Sequence, residues 1–210
     1  MKKNRPILSI LFLIMIFILI SVAFLFLRLR GSTIILDAKE DIMPNQEIIF
    51  FRQDDDRWAD EALGSSAYTL KKSGCLICCI ASALSMSGIE QTPGTLNDQF
   101  TFQNVYDSEG NILWEKLRET DNYEADVYNY VTTELLADIL KNGNYPIARV
   151  RMHGLGNFHY VLVVKAESGK FYCMDPLKDG LTPLSKYRNR IYAIRCVYPA
   201  EKNSFLTTDS

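Results

Sequence analysis

At 210 residues, with 48% hydrophobic and 23% charged side chains, the chain is long enough for one folded domain plus an appendage and too apolar for a disordered one. A formal net charge of −2 with no long basic run excludes an electrostatic nucleic-acid binder. Neither an internal repeat nor a low-complexity tract is present, which excludes solenoid and fibrous classes.

The appendage comes first. Ile7 to Leu27 is an uncharged run of 21 residues, enough to cross a bilayer once as a helix. Lys2, Lys3 and Arg5 precede it, and Arg28, Arg30 and Lys39 follow, so basic residues do not set its orientation. Ser21-Val22-Ala23 has the small-x-small pattern of a signal-peptide cleavage site, but the apolar run continues through Leu27, which favours an uncleaved anchor. The expected organisation is an anchor over residues 1–30, a polar tether over 31–46, one domain over 47–200 and a tail over 201–210. An N-terminal segment of this kind favours export, giving a single-pass protein of the cell membrane with its domain outside the cytoplasm. The five cysteines weigh against an oxidising compartment.

Within the domain, "EIIFF" (47–51) reads as a first strand, and the acid-led "DDDRWADEALGSS" as a short helix around Arg57 to Leu63. Ser73 is a natural N-cap for a helix from Cys75 to Met86, which Gly88 stops. "TPGTLNDQF" (92–100) and "GNILWEKLRET" (110–120) read as short surface helices. In "TTELLADILKNG" (132–143) apolar residues at 135, 136, 139 and 140 keep a helical period. After Gly143 the character changes. "YPIARVRM", "FHYVLVVKA", "KFYCMDP" and "IYAIRCVYP" are β-branched and aromatic runs, the second and third joined by a hairpin turn at "ESGK". Helices followed by an antiparallel sheet make an α+β domain.

The chemistry concentrates on three residues. Cys75, in the first turn of its helix, would lie near unpaired N–H groups and the positive end of the dipole, which favour thiolate. Those N–H groups could also stabilise an oxyanion, and Gly74 would leave the approach to the sulfur open. Of the two histidines, His153 falls in the loop "MHGLGN", whereas His159 heads a strand that reads as buried and must find polar partners there. Asp175, at the end of the next strand, can orient the imidazole of His159. Cys78 and Cys79 read as core packing. A zinc site built on Cys75, Cys78 and Cys79 lacks a distant ligand pair, so no metal and no cofactor is expected. Cys173 and Cys196 lie on expected strands, as core residues or as a disulfide in an exported domain. Trp58 and Trp114 read as core aromatics.

Taken together, "QDDDRWADEALGSS", "SGCLICCIASALSMSG" and "FHYVLVVKAESGKFYCMDPL" resemble the papain-like cysteine peptidases of family thirty-nine. These are the double-glycine leader peptidases that process bacteriocins, together with stand-alone homologues. The resemblance spans residues 50–198 and implies a papain-like fold, with Cys75 as nucleophile, His159 as base and Asp175 as orienting group. It also matches Gln53 to an upstream glutamine that helps line the oxyanion site. Leu76, Ile77 and Cys78 stand where relatives carry smaller residues.

The expected activity is a membrane-anchored bacterial thiol hydrolase, a peptidase acting on a peptide or protein substrate. A papain-fold amidase or acyl-transferase shares the same triad. An inactive peptide-binding module is the third reading, kept open by the bulky residues after Cys75.

Overall fold

Apolar content with opposite periodicities divides the chain. The computed structural model describes residues 5–29, 32–33, 37–154, 156–188 and 190–200, and forms two compact units, residues 1–31 and 32–210. The first contains α1 (Arg5–Leu29), whose stretch Ile7–Leu27 is long and apolar enough to cross a membrane.

In the second unit, β1 (Ser32–Thr33) is followed by α2 (Leu70–Ser73), α3 (Cys75–Met86), α4 (Pro93–Phe102) and α5 (Trp114–Arg118). Then come β2 (Tyr123–Tyr128), α6 (Thr133–Lys141), β3 (Ile147–Arg151), β4 (Phe158–Glu167), β5 (Lys170–Met174), β6 (Leu181–Pro183), β7 (Arg190–Ile191) and β8 (Ala193–Pro199). Six strands form one antiparallel sheet in the order β2-β8-β3-β4-β5-β6, and β1 pairs separately with β7. The architecture is α+β.

α3 is the core helix. Every residue from Ile77 to Leu84 is buried, so no solvent face remains, and the helix packs on β4, β8 and β3. It stops in a Schellman motif: Gly88 takes φ 87°, its N–H reaches the Ser85 carbonyl, and the Ile89 N–H reaches Leu84. α6 ends the same way at Gly143, after starting from a Thr132 cap. α4 opens in a capping box between Thr92 and Thr95, with Pro93 as its first residue.

Three expectations change, and one unforeseen strand appears. Residues 47–51 form no ladder; Ile48, Ile49 and Phe51 cover the core as irregular chain, with Phe51 edge-on to Trp58 at 5.8 Å. The helix expected at Arg57–Leu63 is a set of turns, because the Asp55 carbonyl takes both the Trp58 and Ala59 N–H groups and Leu63 bonds back to Tyr68. "YEADVY" is a strand, β2, at the edge of the sheet, with Tyr123 and Ala125 buried and Glu124 exposed between them. The segment expected as a tether is bonded to the β4–β5 hairpin end at Ala38, Asp41 and Ile42.

Candidate active site

Gly74 is the junction that places Cys75. It caps α2 and α3 at once, and its N–H reaches the Leu70 carbonyl at 2.7 Å. A Cβ there would lie 2.5 Å from that same oxygen, so glycine is required by backbone approach rather than by access for a substrate. Ser73, expected as the N-cap, instead closes α2 and makes no capping bond for α3. The first bonded N–H of α3 is that of Cys78, donating to Gly74 at 3.0 Å, which leaves the N–H groups of Cys75, Leu76 and Ile77 without an acceptor among the described residues, as donors of a helix start.

His159 and Asp175 are brought together by a β-bulge. Around the hairpin, Glu167 pairs with Lys170 and Lys165 with Tyr172, but beyond the bulge Val163 pairs with Cys173 and Leu162 with Met174. Val164 is the extra residue. Continued one step, the shifted register sets Asp175 opposite Val161, on the face that His159 shares. Without the bulge Asp175 would oppose Leu162 and point the other way.

The result is a buried ion pair with His159 Nε2 2.6 Å from Asp175 Oδ1. His159 is 3% exposed and Asp175 is fully buried. The carboxylate is engaged at both oxygens: Oδ1 also accepts from the Leu177 N–H at 3.0 Å, and Oδ2 accepts from the Tyr187 hydroxyl and is ion-paired with Lys178 Nζ at 3.0 Å. Lys178 donates to the Tyr187 oxygen as well, at 3.1 Å. Burial alone would raise the Asp175 pKa; the His159 and Tyr187 hydrogen bonds reverse it and hold the group well below the ordinary carboxylate range. For His159, burial disfavours the charged ring, but the bond to Asp175 and the hydrogen bond and charge of Cys75 outweigh it, raising the pKa to about 9. Nε2 is engaged by Asp175, so Nδ1 is the nitrogen left for Cys75.

Gln53 is 4% exposed and ties two segments together. Its Nε2 donates to the Lys71 carbonyl at 2.7 Å, just before Cys75, and its backbone N–H donates to Pro176 at 3.1 Å, just after Asp175. Its Oε1 is buried without a partner among the described residues.

Cys75 opens on a cavity of about 440 Å³ lined also by Leu76, Ile77, Tyr68, Trp114 and Tyr160. Trp114, expected in the core, packs against it half-buried and also forms a wall of this cavity. Cys78 and Cys79 are buried and their thiols are pushed well up by burial, as packing residues require. Cys173 and Cys196 are free thiols on β5 and β8, strands separated by β3 and β4, so no disulfide joins them. His153 lies exposed in the β3–β4 connection. Among the described residues no group of three His, Cys, Asp or Glu side chains converges to hold a metal. Sequence reading missed Tyr187 and Lys178. Lys178 had a signal, since an Asp-Pro turn returns its fourth residue to the first; Tyr187 had none.

No family model matches the chain, and no curated protein does. The fold is similar to the crystal structure of a protein from Bacillus anthracis described as a C39-like peptidase, at 17% identity and a TM-score of 0.50, covering 75% of this chain and 98% of the other. At that identity the likeness concerns the fold alone.

Proposed function

We propose that the chain is a membrane-tethered, papain-like thiol hydrolase that cleaves peptide bonds, with Cys75 as nucleophile, His159 as base and acid, and Asp175 as the orienting group. The observation that carries this reading is the buried His159–Asp175 bond at 2.6 Å, on a ring that Cys75, at a helix start, also helps to hold charged. The likeness of fold to a protein described as a C39-like peptidase supports it.

The chemistry follows from the charges. Asp175 keeps its negative charge and fixes the ring, so His159 holds a proton on Nδ1 beside the sulfur. The Cys75 thiolate attacks the scissile carbonyl carbon, and the Cys75 N–H with the second Gln53 amide hydrogen stabilises the oxyanion. The imidazolium passes its Nδ1 proton to the leaving amine and the C–N bond breaks, leaving a thioester. Neutral His159 then takes a proton from water, hydroxide attacks the thioester, and the acid and free thiolate are released with His159 protonated again. α1 would hold this unit at the outer face of the cell membrane.

The test is turnover of a quenched-fluorescence peptide library by the detergent-solubilised full chain. Cys75→Ala should abolish cleavage while far-ultraviolet circular dichroism stays unchanged; cleavage retained by that variant would reject the assignment.

A further inference from the structure

Beside the cavity lies a cluster of positive charge that no carboxylate among the described residues neutralises. Arg149 is the cross-strand partner of Tyr160, Arg151 that of Phe158, and Arg195 that of Ile147. Direct partners share a face and so do alternate residues, so one face of the sheet carries Arg149, Arg151, Arg195, Phe158 and Tyr160. His159, one residue before Tyr160, takes the other face.

Arg151 and Arg195 are each only 9% exposed, and Arg149 is half-buried. The Cζ atoms of Arg149 and Arg151 stand 3.6 and 3.9 Å from the Phe158 ring centre, and that of Arg195 stands 5.5 Å from Trp114. Their hydrogen bonds go to neutral carbonyls: Arg151 to Gly156 at 2.9 Å, Arg195 to Ile194 at 2.8 Å and to Tyr128 at 3.3 Å. The Nε atoms of all three are buried without a partner, and among the described residues no carboxylate lies within 4.0 Å of any of them. Aromatic stacking offsets roughly 0.5–2 kcal/mol per cation, less than burying an unpaired charge costs. Burial lowers the Arg195 pKa; Tyr160 raises it and the like charge of Arg149 lowers it again. The walls of this cluster, Tyr160 and Trp114, are also walls of the cavity at Cys75.

We infer that Arg149, Arg151 and Arg195 form an anion subsite of the cleft, which takes a carboxylate of the peptide substrate within a residue or two of the scissile bond. The guanidinium fork matches a planar carboxylate through two parallel hydrogen bonds. Arg149, half-buried and with a guanidinium that makes no hydrogen bond among the described residues, is the first contact; the two arginines behind it supply charge. The carboxylate belongs to an acidic side chain or to a free C-terminus. This inference rests on the peptidase reading.

The experiment offers the full chain, in detergent, N-acetylated octapeptides in matched pairs: Glu against Gln at each position, and free acid against amide at the C-terminus. Cleavage is followed by mass spectrometry. One charged member of a pair should be cut with kcat/KM about tenfold above its neutral partner, and the pair that responds identifies the source of the carboxylate. In Arg149→Met that ratio should fall toward one, and Arg149→Lys should restore part of it. Equal cleavage of all pairs would overturn the subsite and leave the hydrolase standing. If nothing is cut, Cys75→Ala protein is titrated with Ac-Gly-Glu-Gly-amide, its Gln counterpart and Ac-Gly-Gly acid, read by tryptophan fluorescence. Charge-selective binding lost in Arg149→Met would keep the subsite and sink the peptidase reading; equal binding would overturn the subsite too.

Discussion

His159 is held between two partners of different kinds, and its titration reports both. Cys75 contributes to the raised value of about 9 through a hydrogen bond and through charge, so Cys75→Ala should lower the His159 pKa toward the ordinary value of 6.5. With only two histidines in the chain, His153→Asn assigns the signals in a nuclear magnetic resonance titration. An unmoved His159 would mean that the sulfur does not act on the ring. Proton donation to the leaving amine needs the charged ring, so kcat/KM for peptide cleavage should fall along an alkaline limb centred near pH 9. Tyr187 tests the other side of the network. Tyr187→Phe removes the hydroxyl that donates to the buried Asp175 Oδ2, an oxygen also ion-paired with Lys178 Nζ, and should cost about 1–3 kcal/mol in urea unfolding at pH 7. A loss under a few tenths would show that Lys178 alone satisfies that oxygen.

Two local devices position these residues, and they were unequally legible. The start of α3 could be read from "SGC" followed by an uninterrupted apolar run, but the role of Gly74 could not, because the Leu70 carbonyl that excludes a side chain belongs to an unforeseen short helix. Gly74→Ala therefore forces that carbonyl or Cys75 to move, and should destabilise by about 1–3 kcal/mol and depress cleavage. Gly88→Ala, where nothing lies within 4 Å of the added carbon, should cost only about 1 kcal/mol for its positive φ and leave cleavage intact. Equal effects on cleavage would contradict the distinction. The bulge at Val164 had no signal at all: "HYVLVVKA" reads as an unbroken strand, and the register slip that turns Asp175 toward His159 depends on pairing with β5. The pairing of His159 with Asp175 was legible as a hairpin neighbourhood, not as a shared face.

For the domain as a whole, the apolar runs after Gly143 coincide with β3, β4, β5 and β8 because buried strands need continuous apolar sequence. β2 was not foreseen, since an edge strand tolerates acids, and residues 47–51 were misread, since an apolar segment can cover a core without pairing. The arginine cluster was invisible, since residues 149, 151 and 195 meet only across strands. The titrating groups set a pH window for the folded unit. His159 binds its proton more tightly folded (about 9) than unfolded (6.5), so its contribution is complete below 6.5 and lost as pH rises through about 9. The raised thiols of Cys78, Cys79 and Cys173 act in the same direction above their ordinary value of 9.0. Asp175 acts oppositely: its contribution is present above 3.8 and lost as pH falls toward its lowered value. Urea midpoints should therefore be highest between about pH 4 and 6.5 and fall by pH 9.5, and His159→Gln should flatten the part between 6.5 and 9.

The decisive measurement is the rate at which iodoacetamide alkylates each cysteine of the full chain at pH 7, mapped by peptide mass spectrometry, with and without His159→Ala. Cys75 is the one thiol that is not buried, so exposure alone would make it react first. Activation by His159 requires more: the Cys75 rate should drop about tenfold or further when the imidazole is removed, while Cys78, Cys79, Cys173 and Cys196 stay slow in both proteins. A Cys75 rate that His159→Ala leaves unchanged would contradict an activated nucleophile.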